Sequence, residues 1–157
     1  LHIALGTEPV AEQALRGLGL TPLQLRETLY QLAPYIGWPK TLNATTTLAE
    51  VLKDHGVELP LEEAGTVFYE DRETAGAAIQ EPLYGTEVKE VFASLPEPYG
   101  DFLPHLLTAN AFGDVETRGV LDVANRELVS LVAIAALGAA TQLKPHVAGA
   151  IKAGNTK

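Results

Sequence analysis

The chain has 157 residues, enough for one domain with a hydrophobic core. It is 46% hydrophobic and 20% charged, which indicates a globular rather than a disordered protein. The net charge of -9 argues against nucleic acid and anionic membrane surfaces as partners, because both attract basic proteins. The chain has no cysteine, which excludes disulfides, thiolate metal sites and cysteine nucleophiles.

The apolar runs and the chain ends give further expectations. The longest unbroken apolar run covers residues 131–137, far short of the roughly 20 residues that span a bilayer. The first 20 residues lack the pattern of a signal peptide, and the absence of cysteine fits a reducing cytoplasm. We therefore expect a cytoplasmic protein. We expect the chain to be a segment of a longer protein, because it has no methionine and its last residues resemble the first turn of a helix.

Helical signals begin at Thr21. Thr21, Pro22 and Gln24 supply an N-cap, a proline at the first helical position and a capping-box partner. Three leucines then recur at helical spacing. Pro34 is expected to end this helix, and a second helix is predicted over residues 39–53.

Residues 57–84 differ in character from the helices before them. Acidic and turn residues crowd the stretch up to residue 80, which predicts an acidic linker or a loose arm. Short strand or helix character is expected only around residues 66–69. The simplest interpretation of the acidic run is a solvated surface.

The remaining sequence is again helical. Helices are predicted over residues 85–95, 101–111, 123–137 and 145–153. Asp122 is a suitable N-cap for the third of these. That helix is apolar nearly all round, which predicts burial inside a bundle or at a subunit interface. The fold class expected from these patterns is all-α.

The two ends of the chain contain similar segments. Residues 3–6 repeat the pattern of residues 135–138, and residues 14–21 repeat that of residues 150–156. The loop lengths differ by a few residues.

The spacing from Glu127 to His146 resembles that of the carboxymuconolactone decarboxylase-like superfamily, which includes the alkylhydroperoxidase D proteins. In the peroxidase branch two cysteines stand between the glutamate and the histidine. Here Ala139 and Gln142 occupy those positions. A second family signature, Tyr-x-Gly-x-Pro-x-x-x-Asn-Ala, is matched over residues 35–44.

The resemblance implies a helical-hairpin bundle in a tandem, two-unit arrangement. Residues 1–56 resemble the later part of a first unit, residues 57–84 would be the acidic linker or arm, and residues 85–157 resemble the earlier part of a second unit. The first unit has Val10 or Ala11 where the histidine would stand, so only the second retains a possible site. The family forms trimers or hexamers, which makes a homo-oligomer the expected assembly.

Glu127 and His146 are the candidate catalytic pair. A carboxylate beside an imidazole orients it and makes it a proton carrier near neutral pH. The alternative is structural: Glu127 would be favoured in the first turn by the helix dipole, and His146 would be an ordinary residue at a helix start.

Four further residues are candidates for substrate binding. Arg126 and Arg118 could bind a substrate carboxylate, or they could form structural ion pairs. Tyr35 and Trp38 could line a pocket, or they could serve packing at a helix corner. His105 lies on an apolar helix and is expected to be a core or interface residue. No spaced metal motif is present, and no cofactor is expected.

Three functions follow from the resemblance. The first is a cofactor-free lyase that decarboxylates a small carboxylated lactone or related acid, which would be the small-molecule partner. The second is an alkylhydroperoxidase-like antioxidant with an inherited peroxiredoxin label, which the missing cysteines oppose. The third is a non-catalytic oligomeric scaffold or binding protein.

Overall fold

The computed structural model describes residues 14–15, 18–96 and 99–156, with the side chain of residue 99 left out. Within this part of the chain there are seven α-helices and no strand, which confirms the all-α prediction. The helices are α1 Pro22–Ile36, α2 Trp38–Asp54, α3 Arg72–Tyr84, α4 Glu87–Ala93, α5 Tyr99–Leu106, α6 Val123–Ala136 and α7 Ala140–Lys152. A π-helical segment, Leu107–Glu116, continues α5.

None of the described helices is long and apolar enough to cross a membrane. The repeat segment at residues 3–6 and the substituted histidine position at Val10 or Ala11 lie outside the described residues. The division of the chain into two units stays a prediction.

The capping box predicted at the start of α1 is confirmed. Thr21 accepts from the Gln24 backbone N–H at 3.2 Å, and the Gln24 side chain accepts from the Thr21 N–H at 2.9 Å. The prediction that Pro34 ends the helix was wrong, because the helix continues to Ile36. It ends at Gly37, whose φ of 79° favours glycine and lies outside the helical region.

The expectation of a loose arm was wrong for Arg72–Tyr84, which form α3. This helix packs directly against the π-helical segment. A Cβ on Gly76 would lie 2.1 Å from the Thr108 carbonyl oxygen, and one on Gly113 would lie 2.1 Å from the Arg72 carbonyl oxygen. These glycines allow close helix approach, so Gly76 is a packing residue rather than a helix breaker. Around residues 66–69 no strand forms, and a single 3-10 turn covers Tyr69–Asp71.

The start of α6 is as predicted, whereas that of α7 is not. Asp122 caps α6 by accepting from the Asn125 backbone N–H at 2.8 Å. The prediction that α7 begins at Pro145 was wrong, because the helix begins at Ala140 and contains Pro145. His146 therefore lies inside the helix, beyond its first turn, and is held by a regular backbone.

The prediction that α6 is buried inside a bundle or at a subunit interface is confirmed for one face of the helix. Its buried face carries Arg126, Glu127 and Ser130, while Leu128 and Val132 on the opposite face are exposed. Leu32 and Ile36 of α1 pack against Ala133 of α6, and other α1 leucines pack against α2. The polar face of α6 is thus turned toward the inside of the bundle, where α6 packs against α1 and α7. Burial of the exposed face in an oligomer stays a prediction.

Candidate active site

A layer of polar side chains lies buried between α1 and α6. The Arg126 guanidinium, fully buried, donates to Gln31 Oε1 at 3.0 Å and to the carbonyl oxygens of Arg118 and Gly119 at 2.8 and 3.0 Å. It also lies 3.4 Å from Glu27 Oε2. These partners compensate the cost of burying a charge.

Glu27 is the anion of this layer. Arg118 Nε donates to Glu27 Oε2 at 2.8 Å, and Arg26 Nε donates to Oε1 at 3.0 Å. Burial alone would raise the pKa of Glu27, but the hydrogen bonds and charges of Arg118 and then Arg26 outweigh it and lower that pKa. Arg118 and Arg126 are therefore engaged in structural ion pairs. This placement favours the structural alternative for both arginines.

The Tyr84 hydroxyl lies between Glu127 and His146. It donates a hydrogen bond to Glu127 Oε2 and lies 2.8 Å from Nδ1 of His146. The direct separation of His146 Nδ1 from Glu127 Oε2 is 3.6 Å, so the phenol is the nearer partner of each. Because the single hydroxyl proton points to the carboxylate, the phenolic oxygen is left to accept from Nδ1–H. That tautomer leaves Nε2 as the nitrogen that can act on a ligand.

Both tyrosines of the site remain neutral phenols. Burial raises the pKa of Tyr84, and the hydrogen bond and charge of Glu127 raise it further. Burial also raises the pKa of Tyr35, although a hydrogen bond with Ser130 opposes the shift. The ring of Tyr35 meets that of His146 edge-on, with centroids 6.1 Å apart. Together, the two phenols fix the position of the imidazole.

The position of Tyr84 depends on a glycine of α7. A Cβ on Gly149 would lie 2.7 Å from Cζ of Tyr84, so only glycine leaves room for the phenol. Gly149 follows His146 by nearly one helical turn, and both therefore face α3. Sequence reasoning missed Tyr84, because it lies 43 residues from Glu127 and 62 from His146 and no spacing rule links them.

The site opens into a cavity of about 470 Å³. Its lining is mostly apolar, and its polar side chains are Tyr35, Gln80, Tyr84, Gln142 and His146. Among the described residues that line it, none is Asp, Glu, Lys or Arg. A cavity of this size accommodates a small organic molecule.

The other sequence candidates lie outside this cavity or at its edge. Trp38 is 65% exposed and does not line it. His105 is half exposed and lies 3.2 Å from Glu73, so it is not a core residue of this chain, and its position at an interface stays a prediction. The two positions that carry cysteine in the peroxidase branch, Ala139 and Gln142, both line the cavity. Across the described chain, no cluster of three metal-binding side chains occurs.

A second carboxyl group lies behind the site. Glu116 Oε2 accepts from Gln31 Nε2 at 2.5 Å, and its Oε1 is buried without a hydrogen-bond partner. Burial raises the pKa of Glu116 to about 7, and the charge of Glu127 adds to that shift. Gln31 also donates to Ser130 at 3.0 Å, and Ser130 bonds to Tyr35. Glu116 is thereby linked to the cavity wall without lining the cavity.

Comparison with known families gives one match. The model of the carboxymuconolactone decarboxylase family matches residues 103–157, a segment that contains both Glu127 and His146. The matched segment is about a third of the chain, and its similarity to this family agrees with the all-helical fold. Comparisons with curated proteins and with solved structures give no significant match. The tandem arrangement stays a prediction.

Proposed function

We propose that the chain is a cofactor-free proton-transfer enzyme, a lyase that removes CO2 from a small lactone acid or related acid. The observation that carries the proposal is the Tyr84 hydroxyl, which joins Glu127 to His146 at the wall of an apolar cavity. A carboxylate, a phenol and an imidazole in series can hold a proton on the imidazole and release it to a substrate.

The chemical step begins with cleavage of the bond between the substrate carbon and its carboxylate. The electron pair of that bond stays on carbon and is delocalised into the neighbouring carbonyl as an enolate. Protonated His146 donates its Nε2 proton to the carbon, and the new C–H bond completes the product. Glu127 stabilises the imidazolium through Tyr84 beforehand, and water returns the proton afterwards.

The character of the cavity narrows the proposed substrate. Arg126 and Arg118, which the sequence offered as carboxylate ligands, are engaged with Glu27, and neither is among the residues that line the cavity. A carboxylate moved from water to apolar surroundings is destabilised unless it is paired. Loss of that carboxylate as CO2 relieves the penalty, whereas a second carboxylate retained in the product would still carry it. We therefore favour a substrate whose only carboxylate is the one lost.

The two other candidate functions differ from the lyase in testable ways. A thiol peroxidase cycles cysteines through a disulfide, and this chain has none. A binding protein would use the same cavity without turnover.

We also propose homo-oligomer formation, as a trimer or hexamer, through the exposed side chains of Leu128 and Val132 on α6 and Val147 and Ile151 on α7. Sedimentation equilibrium would test that assembly.

The test is CO2 release from a panel of small lactone acids that carry a single carboxylate. Carboxymuconolactone, which keeps a second carboxylate after losing CO2, is the comparison substrate and is expected to react more slowly. His146→Ala is expected to lower turnover by roughly 100-fold or more, the usual contribution of a general acid. His105→Ala is the matched control, because His105 lies half exposed beside Glu73 and outside the cavity. Turnover that survives His146→Ala would refute the proposed role. If acids of this panel bind to the protein but none is decarboxylated, the result would favour the hypothesis of a non-catalytic binding protein.

A further inference from the structure

A second cavity of about 320 Å³ adjoins the first, lying between α4, α5 and the π-helical segment. Five residues line both cavities: Pro34, Val88, Phe92, Leu107 and Ala111. The second cavity therefore extends the first, away from His146 and toward the α4–α5 pair.

The two cavities differ in their polar groups. The first has the phenols and the imidazole at one end, whereas the only polar side chain that lines the second is Asn110. The amide of Asn110 already donates to Asp114 at 3.0 Å. Among the described lining residues, the second cavity has no charged group. A ligand that filled both spaces would need one polar end and one apolar end.

We infer that the ligand is a small polar head with an unbranched alkyl tail, the head at Tyr84 and His146 and the tail in the second cavity. The identity of the head, a lactone, rests on the proposed function. The tail rests on the second cavity alone. An alkyl chain gains affinity with each methylene removed from water, about fourfold in Kd for each one buried.

Two residues allow the second cavity, called the tail site below, to be altered without changing the polar end of the first cavity. Ala111 is the smallest residue that lines both cavities, so Ala111→Trp would close the passage between them. Leu103 lines only the second cavity and is 51% exposed, so Leu103→Asp adds a carboxylate there at low risk to folding. Ala78→Trp, at an exposed position of α3 that lines neither cavity, is the matched control for added bulk.

The experiment measures Kd by calorimetry for γ-lactones of six, eight, ten and twelve carbons, with the full chain and these variants. Wild type and Ala78→Trp are expected to bind about fourfold more tightly per added methylene until the tail site is filled. Ala111→Trp should remove most of that dependence. Leu103→Asp should weaken the twelve-carbon lactone about tenfold and change the six-carbon lactone less than twofold.

The inference is overturned if Kd does not depend on chain length, if no lactone binds, or if both tail-site variants keep the wild-type dependence. The assay measures binding only, so it is independent of catalysis. If Kd depends on chain length but no turnover depends on His146, the proposed lyase activity is refuted and the tail site is still supported.

Discussion

Tyr84→Phe tests the centre of the proposed site, because it removes one oxygen atom and little else. The Tyr84 hydroxyl is the donor to the buried Glu127 carboxylate, which is 1% exposed, and the near neighbour of His146 Nδ1 at 2.8 Å. Without it, Nδ1 of His146 lies 3.6 Å from Glu127 Oε2, too far for a good hydrogen bond.

The expected loss of stability in Tyr84→Phe follows from the kind of hydrogen bond that is removed. A hydrogen bond to a charged group contributes about 1.5–3 kcal/mol, and leaving a buried carboxylate unsatisfied costs a similar amount. We therefore expect Tyr84→Phe to lower the free energy of unfolding by about 2 kcal/mol. For a domain of this size that corresponds to a decrease in Tm of roughly 4–8 °C. Turnover should fall about 10- to 100-fold, because His146 loses its link to the carboxylate.

The assay combines thermal unfolding, followed by circular dichroism, with CO2 release from the most active substrate. Tyr69→Phe is the control, because Tyr69 is 72% exposed and its change should remain within about 0.5 kcal/mol. If the three side chains act as one unit, Tyr84→Phe combined with Glu127→Gln should be no slower than the slower single variant. A Tyr84→Phe protein with wild-type Tm and turnover within twofold would refute the reasoning.

The remaining predictions concern the groups around this centre. Folding raises the pKa of Glu116 to about 7, so the folded state binds the proton more tightly than the unfolded state, and this contribution to stability is lost as pH rises from about 5 to 8. Glu116→Gln should therefore gain Tm relative to wild type over that range, and a difference in Tm that does not change with pH would contradict the assignment. Gly149→Ala forces a Cβ to within 2.7 Å of Tyr84 and should cost about 1–3 kcal/mol in chemical unfolding together with most turnover, whereas Gly119→Ala, with its nearest neighbour at 3.6 Å, should do neither. Arg126→Leu leaves Glu27 with one fewer buried partner and should cost about 3–5 kcal/mol. If Arg126 is structural, the remaining folded protein should keep the wild-type KM, and a KM raised tenfold or more would restore its role in substrate binding.

Local sequence predicted those features whose cause is local. The capping box at Thr21 and the N-cap at Asp122 depend on side chains that bond to the backbone within three residues, and both are confirmed. The start of α3 was missed for a related reason. Glu70, Asp71 and Glu73 are exposed, as predicted for a solvated run, but they also stand at the start of α3, where the helix dipole stabilises acidic residues.

Helix breakers misled where neighbouring elements decided the outcome. Gly76 suggested a turn, although it allows α3 to approach the Thr108 carbonyl. Pro145 suggested a helix start, but α7 already begins at Ala140 and contains it. The inward polar face of α6 could not be predicted from hydropathy, because its burial is compensated by hydrogen bonds to residues on α1 such as Gln31, which accepts from Arg126.

The all-α class and the candidate pair Glu127 and His146 could be predicted from the sequence, because helical periodicity and the spacing of that pair are properties of one continuous segment. Tertiary structure alone decided that Tyr84 lies between them and that the arginines are bound to Glu27 instead of the cavity. The physical reason is that these partners come from α1, α3 and the loop before α6. Only the packing of those elements brings residues so distant in the chain within hydrogen-bonding distance.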